Sequence, residues 1–235
     1  EVTPTFTNDD VLCEGPPKEF TITVIPNVYL IPINDITICN GETLEGVDFE
    51  TNYTGGSISY EWISSINIGF GIQGDGSSLN FEVENNNPDP IISLISIIPT
   101  YTINGEECIG VTETFSVTVN PNFEMNEPQD IILCNGQFSE EIIFTSQNTT
   151  GTTTYSWEIV EGSDNINLIQ TDDGTGVINQ FTAINTSSEQ LQATISVTPI
   201  FSNGGIDCSP PIETFTITVN PVPQIENSLD NAICH

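Results

Sequence analysis

Apolar and polar residues alternate with a period of two through much of this chain. Phe115, Val117 and Val119 alternate with Thr114, Ser116 and Thr118, and Phe215, Ile217 and Val219 do the same against Thr214, Thr216 and Thr218. This is the pattern of a half-buried strand, because successive side chains of extended backbone point to opposite faces. Further strands are predicted at 45–53, 57–64, 79–84 and 91–98, and again at 140–147, 152–160, 177–183 and 191–197, separated by Gly, Asn, Asp and Pro clusters that favour turns. No segment shows a convincing helical period.

The two sets of strands are copies of one unit. The words TFSVTVNP at 114–121 and TFTITVNP at 214–221 are nearly identical, and FTITVIP at 20–26 is a third version. From Pro26 to Pro121 is 95 residues and from Pro121 to Pro221 is 100, and Cys13, Cys108 and Cys208 move by the same steps. So do Cys39, Cys134 and Cys234, and Pro4, Pro99 and Pro199, while Trp62 and Trp157 are also 95 apart. The extra five residues fall between the tryptophan and the later Gly-rich turn, in a loop, where added length costs little.

Residues 27–121 and 122–221 are therefore two complete repeats. They are preceded by the closing strands of another at 1–26 and followed by the opening of a fourth at 222–235. Some seven short strands in about 100 residues, with turn signals every ten or so, predict an all-β fold of tandem immunoglobulin-like β-sandwich repeats arranged as an elongated rod. Phe115 and Phe215 are expected in the two cores, with Trp62 and Trp157 as the buried sandwich tryptophans.

Charge narrows the partners. Thirty-three acidic residues face one base, Lys18, giving a formal charge of −32 spread along the chain. Such a surface repels phosphate backbones and anionic lipid, which argues against nucleic acid and against direct membrane insertion of this segment. The most apolar run, 90–99, is too short to cross a bilayer as a helix. With apolar residues at 37%, real cores beneath a solvated acidic surface are expected.

Catalytic chemistry is poorly supplied. There is no arginine and the single histidine is His235, so phosphate clamps and the Ser-His and Cys-His pairs are missing, and no P-loop, GxGxxG or HExxH pattern occurs. Glu61 and Glu158 flank their tryptophans on opposite sides, so the repeats share no carboxylate arrangement, and the expectation is a protein that is not an enzyme. Calcium is the one candidate cofactor, because oxygen ligands are dense around Asp9 and Asp10, Asp75, Glu106 and Glu107, and Asp172 and Asp173, although none completes a known loop. Asn52, Asn148 and Asn185 begin N-x-[ST] sequons of the kind that carry glycans in secreted proteins.

The ordered set Ile38-Cys39-Asn40-Gly41, Tyr60-Glu61-Trp62, Ile98-Pro99-Thr100-Tyr101, Cys108 and Asn120-Pro121 recurs as Leu133-Cys134-Asn135-Gly136, Tyr155-Ser156-Trp157, Thr198-Pro199, Cys208 and Asn220-Pro221. It resembles the PKD-like repeats of Bacteroidota cell-surface proteins. That resemblance implies export by the type IX secretion system, display outside the cell with attachment to the outer membrane, and a place in the stalk of a long adhesin such as the giant gliding-motility adhesins of the SprB kind. The partners it implies are neighbouring repeats of the same chain, with surface glycans, proteins gripped by sandwich-end loops, or self-association into a filament as further candidates.

Six cysteines without a close pair read as disulfides of an oxidising compartment. Three connectivities are open. Pairing across each junction joins Cys13 with Cys39, Cys108 with Cys134 and Cys208 with Cys234, every separation being 26 residues. This scheme uses all six and is the preferred one. Pairing within repeats joins Cys39 with Cys108 and Cys134 with Cys208, but the turns involved lie at opposite ends of a sandwich, beyond the ~7 Å Cα limit for a bridge. The third joins Cys39 with Cys208, from the lower end of one repeat to the upper end of the next, and leaves four cysteines over.

Overall fold

The computed structural model describes residues 1–22, 24, 27–122, 125–162 and 173–223. Among them every regular element is a strand, and no helix is long and apolar enough to cross a membrane. A leading hairpin, β1 (Thr5–Asn8) and β2 (Val11–Glu14), is followed by two sandwiches of the same plan.

The first sandwich comprises β3 (Ile36–Cys39), β4 (Thr43–Asp48), β5 (Ser57–Ser64), β6 (Gln73–Asp75), β7 (Ser78–Glu82), β8 (Ile91–Ile103), β9 (Glu106–Ile109) and β10 (Glu113–Asn120). One sheet has the order β3-β10-β8-β5-β6, with β9 pairing beside β8, and the facing layer is β4-β7. The second contains β11 (Ile131–Cys134), β12 (Thr152–Glu161), β13 (Asp173–Thr175), β14 (Leu191–Asn203), β15 (Ile206–Cys208) and β16 (Glu213–Asn220), in the order β11-β16-β14-β12-β13 with β15 beside β14. Its facing layer is held by the bridges Phe138↔Thr182 and Ile142↔Ile178 rather than by a regular ladder, so the strands expected at 140–147 and 177–183 are reduced to single bridges. In each repeat the short opening strand runs parallel to the last one, Ile36–Cys39 along Val117–Asn120 and Ile131–Cys134 along Ile217–Asn220, in otherwise antiparallel sheets.

The period-two residues build the cores. Phe115, Val117 and Val119 meet Ile95, Ile97, Leu44, Val47 and Leu79 in the first, and Phe215, Ile217 and Val219 meet Ile195, Val197, Phe144 and Phe181 in the second. Trp62 is buried as expected, with Phe70 at 4.5 Å between ring centroids. Trp157 packs against the second core but is only half-buried, a departure from the expected full burial.

The strands predicted to stop before Pro99 and Pro199 continue to Ile103 and Asn203. A proline inside a sheet normally removes a ladder bond. Here β8 changes its neighbour at Pro99: β10 ends its pairing opposite Ile97, and β9 begins opposite Thr100. The Pro99 carbonyl accepts from the Gly110 amide at 2.7 Å. Since N and O of an extended residue point to the same side, the absent N–H falls in the gap between the two partners, and Pro199 occupies the same gap between β16 and β15.

Gly74 and Gly174 lie under the tryptophan rings. A Cβ on Gly74 would stand 2.3 Å from Cζ2 of Trp62, and one on Gly174 2.5 Å from Cζ2 of Trp157. Gly74→Val is expected to push the indole out of its seat, cost about 1–3 kcal/mol in denaturant unfolding and red-shift tryptophan emission; an unchanged midpoint and spectrum would count against this packing.

Candidate functional site at the repeat junction

The two sandwiches meet end to end, and the chemistry-bearing side chains gather where they meet. Because β3 lies parallel to β10, Cys39 and Asn120 finish side by side at the far end of the first repeat. From the second repeat, the hairpin β14–β15 reaches back with Asn203, Gly204 and Cys208, and the segment before β12 brings Asn148, Thr149 and Thr150.

Cys39 and Cys208 form a disulfide with Cα atoms 5.6 Å apart across a sequence separation of 169. Both are buried, at 8% and 2% exposure. This is the third of the connectivities open from the sequence, and the preferred junction scheme is corrected: Cys39 is bonded neither to Cys13 nor to Cys108, Cys208 neither to Cys134 nor to Cys234, and Cys13, Cys108 and Cys134 are free thiols. Cys234 lies outside the described residues, as does Pro26.

The physical reason is strand length. Cys108 sits on β9 opposite Tyr101, before the chain turns into β10, whose eight residues then run the length of the sandwich, ~26 Å at ~3.3 Å each. Cys134 ends β11, at the far end of the second sandwich, beside Asn220. The two 13-residue arms about Pro121, which separate Cys108 from Cys134 by 26 residues, therefore point away from each other. The within-repeat scheme fails for the same reason, since Cys39 and Cys108 occupy opposite ends of one sandwich.

Two polar contacts flank the bridge. Asn120, fully buried, donates from Nδ2 to the Asn203 carbonyl at 3.0 Å and accepts from Asn203 Nδ2 at 2.8 Å. Asp89 receives the Thr149 amide at 2.7 Å, the Thr149 hydroxyl at 2.5 Å, the Thr150 amide at 2.9 Å and the Thr150 hydroxyl at 3.2 Å. The Pro88 carbonyl accepts from Asn148 Nδ2. Gly204, at φ 60°, comes against Thr37, where a Cβ would meet Oγ1 at 3.0 Å.

Asp89 is aimed by its own repeat. Asn85 is buried, takes its amide bond to Asn40 Oδ1 at 2.7 Å, and donates from Nδ2 to the carbonyls of Asp89 and Val119 at 3.0 and 2.8 Å. This ties the 85–89 turn to the end of β10. Asn185 does the same in the second repeat, with Asn135, Glu189 and Val219. Asn85, Asp89 and Glu189 were not singled out from the sequence, although the recurrence of Asn85 and Asp89 as Asn185 and Glu189 at the 100-residue step was a signal that could have found them.

The calcium candidates stay dispersed. Asp9 and Asp10 form the turn of the first hairpin with φ of 47° and 61°, Asp75 ends β6, Glu106 and Glu107 lie on β9, and Asp173 starts β13. Asp172 lies outside the described residues. Among the described residues no group of three or more His, Cys, Asp or Glu side chains is placed to hold a metal ion.

No family model matches the chain, and no curated protein does. Solved structures that resemble it include human CDH23 cadherin repeats EC21–23, at 14% identity and TM-score 0.41 over 82% of this chain and 73% of that one. Protocadherin gamma B2 extracellular cadherin domains 3–6 match at 11% identity and TM-score 0.46 over 84% and 52%. A SusE-like surface-located polysaccharide-binding protein from the Bacteroides thetaiotaomicron heparin utilisation locus matches at 11% and TM-score 0.31 over 82% and 34%. At these scores the likenesses add nothing to the strand order, which itself defines the immunoglobulin-like sandwich.

The threonine contacts hold the Asp89 carboxyl below its ordinary value of 3.8, the Thr149 hydroxyl first, then the Thr149 and Thr150 amides. A carboxyl lowered in the folded state contributes stability above its unfolded value and loses it as pH falls from there through the folded value. The Thr149 and Thr150 amide resonances should accordingly shift on acidification with a midpoint below 3.8, and Asp89→Ala should abolish that titration and speed exchange of both amides. A midpoint at or above the ordinary value would contradict the latch.

Proposed function

We propose that this segment is a load-bearing stalk of an extracellular, surface-displayed adhesin, with a mechanical rather than catalytic role, and that the junction between repeats is its working part. The observation that carries the reading is the disulfide from Cys39 to Cys208. A bridge between neighbouring domains does little for either core. What it does is fix one sandwich on the next and divert tension.

When the chain is drawn from its ends, force enters along β3, crosses the sulfur–sulfur bond and leaves along β16. Everything between, including most strands of both sandwiches, is sheltered from the load. The polar latch at Asp89 and the Asn120–Asn203 pair resist bending about that bond. The acidic surface adds mutual repulsion between repeats, which favours extension and is screened beyond about 8–10 Å at physiological salt. A buried disulfide also fits an oxidising location outside the cell.

Gliding motility, type IX export, outer-membrane anchoring and a filament role fit this reading as its finer form and rest on the sequence resemblance alone. Glycan or protein capture by sandwich-end loops is less well supported, because at this junction the loops around Asp89, Thr149 and Asn203 are occupied by the neighbouring repeat.

Single-molecule pulling of the oxidised chain should give only short extensions. Reduction should release the residues spanned by the bridge, a separation of 169, adding roughly 560–610 Å of contour length at ~3.3–3.6 Å per residue. Equal contour lengths with and without reductant would defeat the proposal.

A further inference from the structure

We infer that Cys134 is the donor half of a second inter-repeat disulfide, made with the residue equivalent to Cys208 in a repeat docked on the far end of residues 122–221, and that successive bridges interleave along the stalk. This rests on the stalk reading and adds its connectivity.

The far ends of the two repeats carry the same parts in two states. Cys39 is buried and bonded where the second repeat is docked, and its counterpart Cys134 is an exposed free thiol. The Cys39 amide donates to Glu42 Oε2 at 3.1 Å and the Cys134 amide to Gln137 Oε1 at 3.0 Å, so both strand ends are held alike. Asn120 is fully buried, whereas Asn220 is half-exposed and its Oδ1 accepts from Gln190 instead. Asp89 is half-buried under the threonines, and Glu189, aimed by the same asparagine network, stands exposed. Three features thus wait at one end in the arrangement that the first repeat uses to hold the second.

The near ends agree. Cys208, bonded, sits opposite Phe201; Cys108, free, sits opposite Tyr101; and Cys13, free, sits opposite Phe6. The pair beside the bridge also changes in concert: Asn120 meets Asn203, and the residues one step earlier in the repeat are Ile25 and Ile103. The sequence thus changes both positions together, as matched docking faces require, since an isoleucine against a buried asparagine would leave an amide unpaired.

The consequence is interleaving. The bridge from Cys39 to Cys208 spans Cys134, whose partner lies one repeat further on. Each repeat is then enclosed by two overlapping bridges, and no sandwich can unravel without breaking sulfur–sulfur bonds. In forming each one, two thiols lose two protons and two electrons to a disulfide oxidant, which is reduced to two thiols.

The test extends the full chain through residue 221 with a second copy of residues 122–221, refolded with oxidised and reduced glutathione. The added copy presents Cys208, Asn203 and Thr149–Thr150 to Cys134, Asn220 and Glu189. Non-reducing peptide mapping should recover Cys134 joined to the added Cys208, and Cys208→Ser in the added copy alone should leave Cys134 open to alkylation. Cys134 left reactive while Cys39–Cys208 forms overturns this inference and leaves the stalk reading standing. Loss of Cys39–Cys208 itself removes that reading instead. An added copy that does not fold on this end also counts against the inference, because the same sequence folds when it follows the first repeat.

Discussion

Extended backbone has a fixed length, and a strand that crosses a sandwich must deliver its two ends to opposite faces of the domain. That constraint governs everything at the junction. It sends Cys39 and Asn120 to the far end of the first repeat by way of the parallel pairing of β3 with β10. It sends Cys208 and Asn203 to the near end of the second by way of the β14–β15 hairpin. Residues remote in sequence meet because each lies at the end of a strand, and the neighbours Cys108 and Cys134 are kept apart because two whole strands lie between them.

Once the ends are brought together, the contacts divide the work. The disulfide makes the connection covalent, so that a pull applied to the chain ends would bypass most of both domains. Asp89, gripped by Thr149 and Thr150, supplies a second point of attachment away from the bridge, and two points resist rotation where one would act as a swivel. Gly204 permits the close approach, since its left-handed backbone and missing side chain leave room for Thr37. The asparagines that aim the carboxylates are buried and fully engaged, so the geometry is built into each repeat before docking.

Much of this was legible in the sequence. The period-two alternation of Phe115, Val117 and Val119 located both a strand and its core face, because one face of a sandwich strand is buried. The 95- and 100-residue steps located the repeats. The end of β8 was misjudged, because a proline reads as a strand breaker unless the neighbouring strands are known to change at that point. Trp157 was expected to be as buried as Trp62, and side-chain identity alone could not distinguish them. Among the cysteine pairings, Cys39–Cys208 was one of the three left open, but equal separations of 26 residues favoured the junction scheme, although the strand length that excludes Cys39–Cys108 excludes Cys108–Cys134 as well. Asp89, Thr149 and Asn203 went unnoticed because single polar residues in turns look like solvated loops until a second domain is placed over them.

The central claim is the covalent link between neighbouring repeats. Non-reducing peptide mapping of the oxidised chain, with free thiols alkylated first, tests it most directly. The account predicts one linked pair of peptides containing Cys39 and Cys208, with Cys13, Cys108 and Cys134 alkylated. Recovery of Cys39 joined to Cys13 or to Cys108 would contradict it.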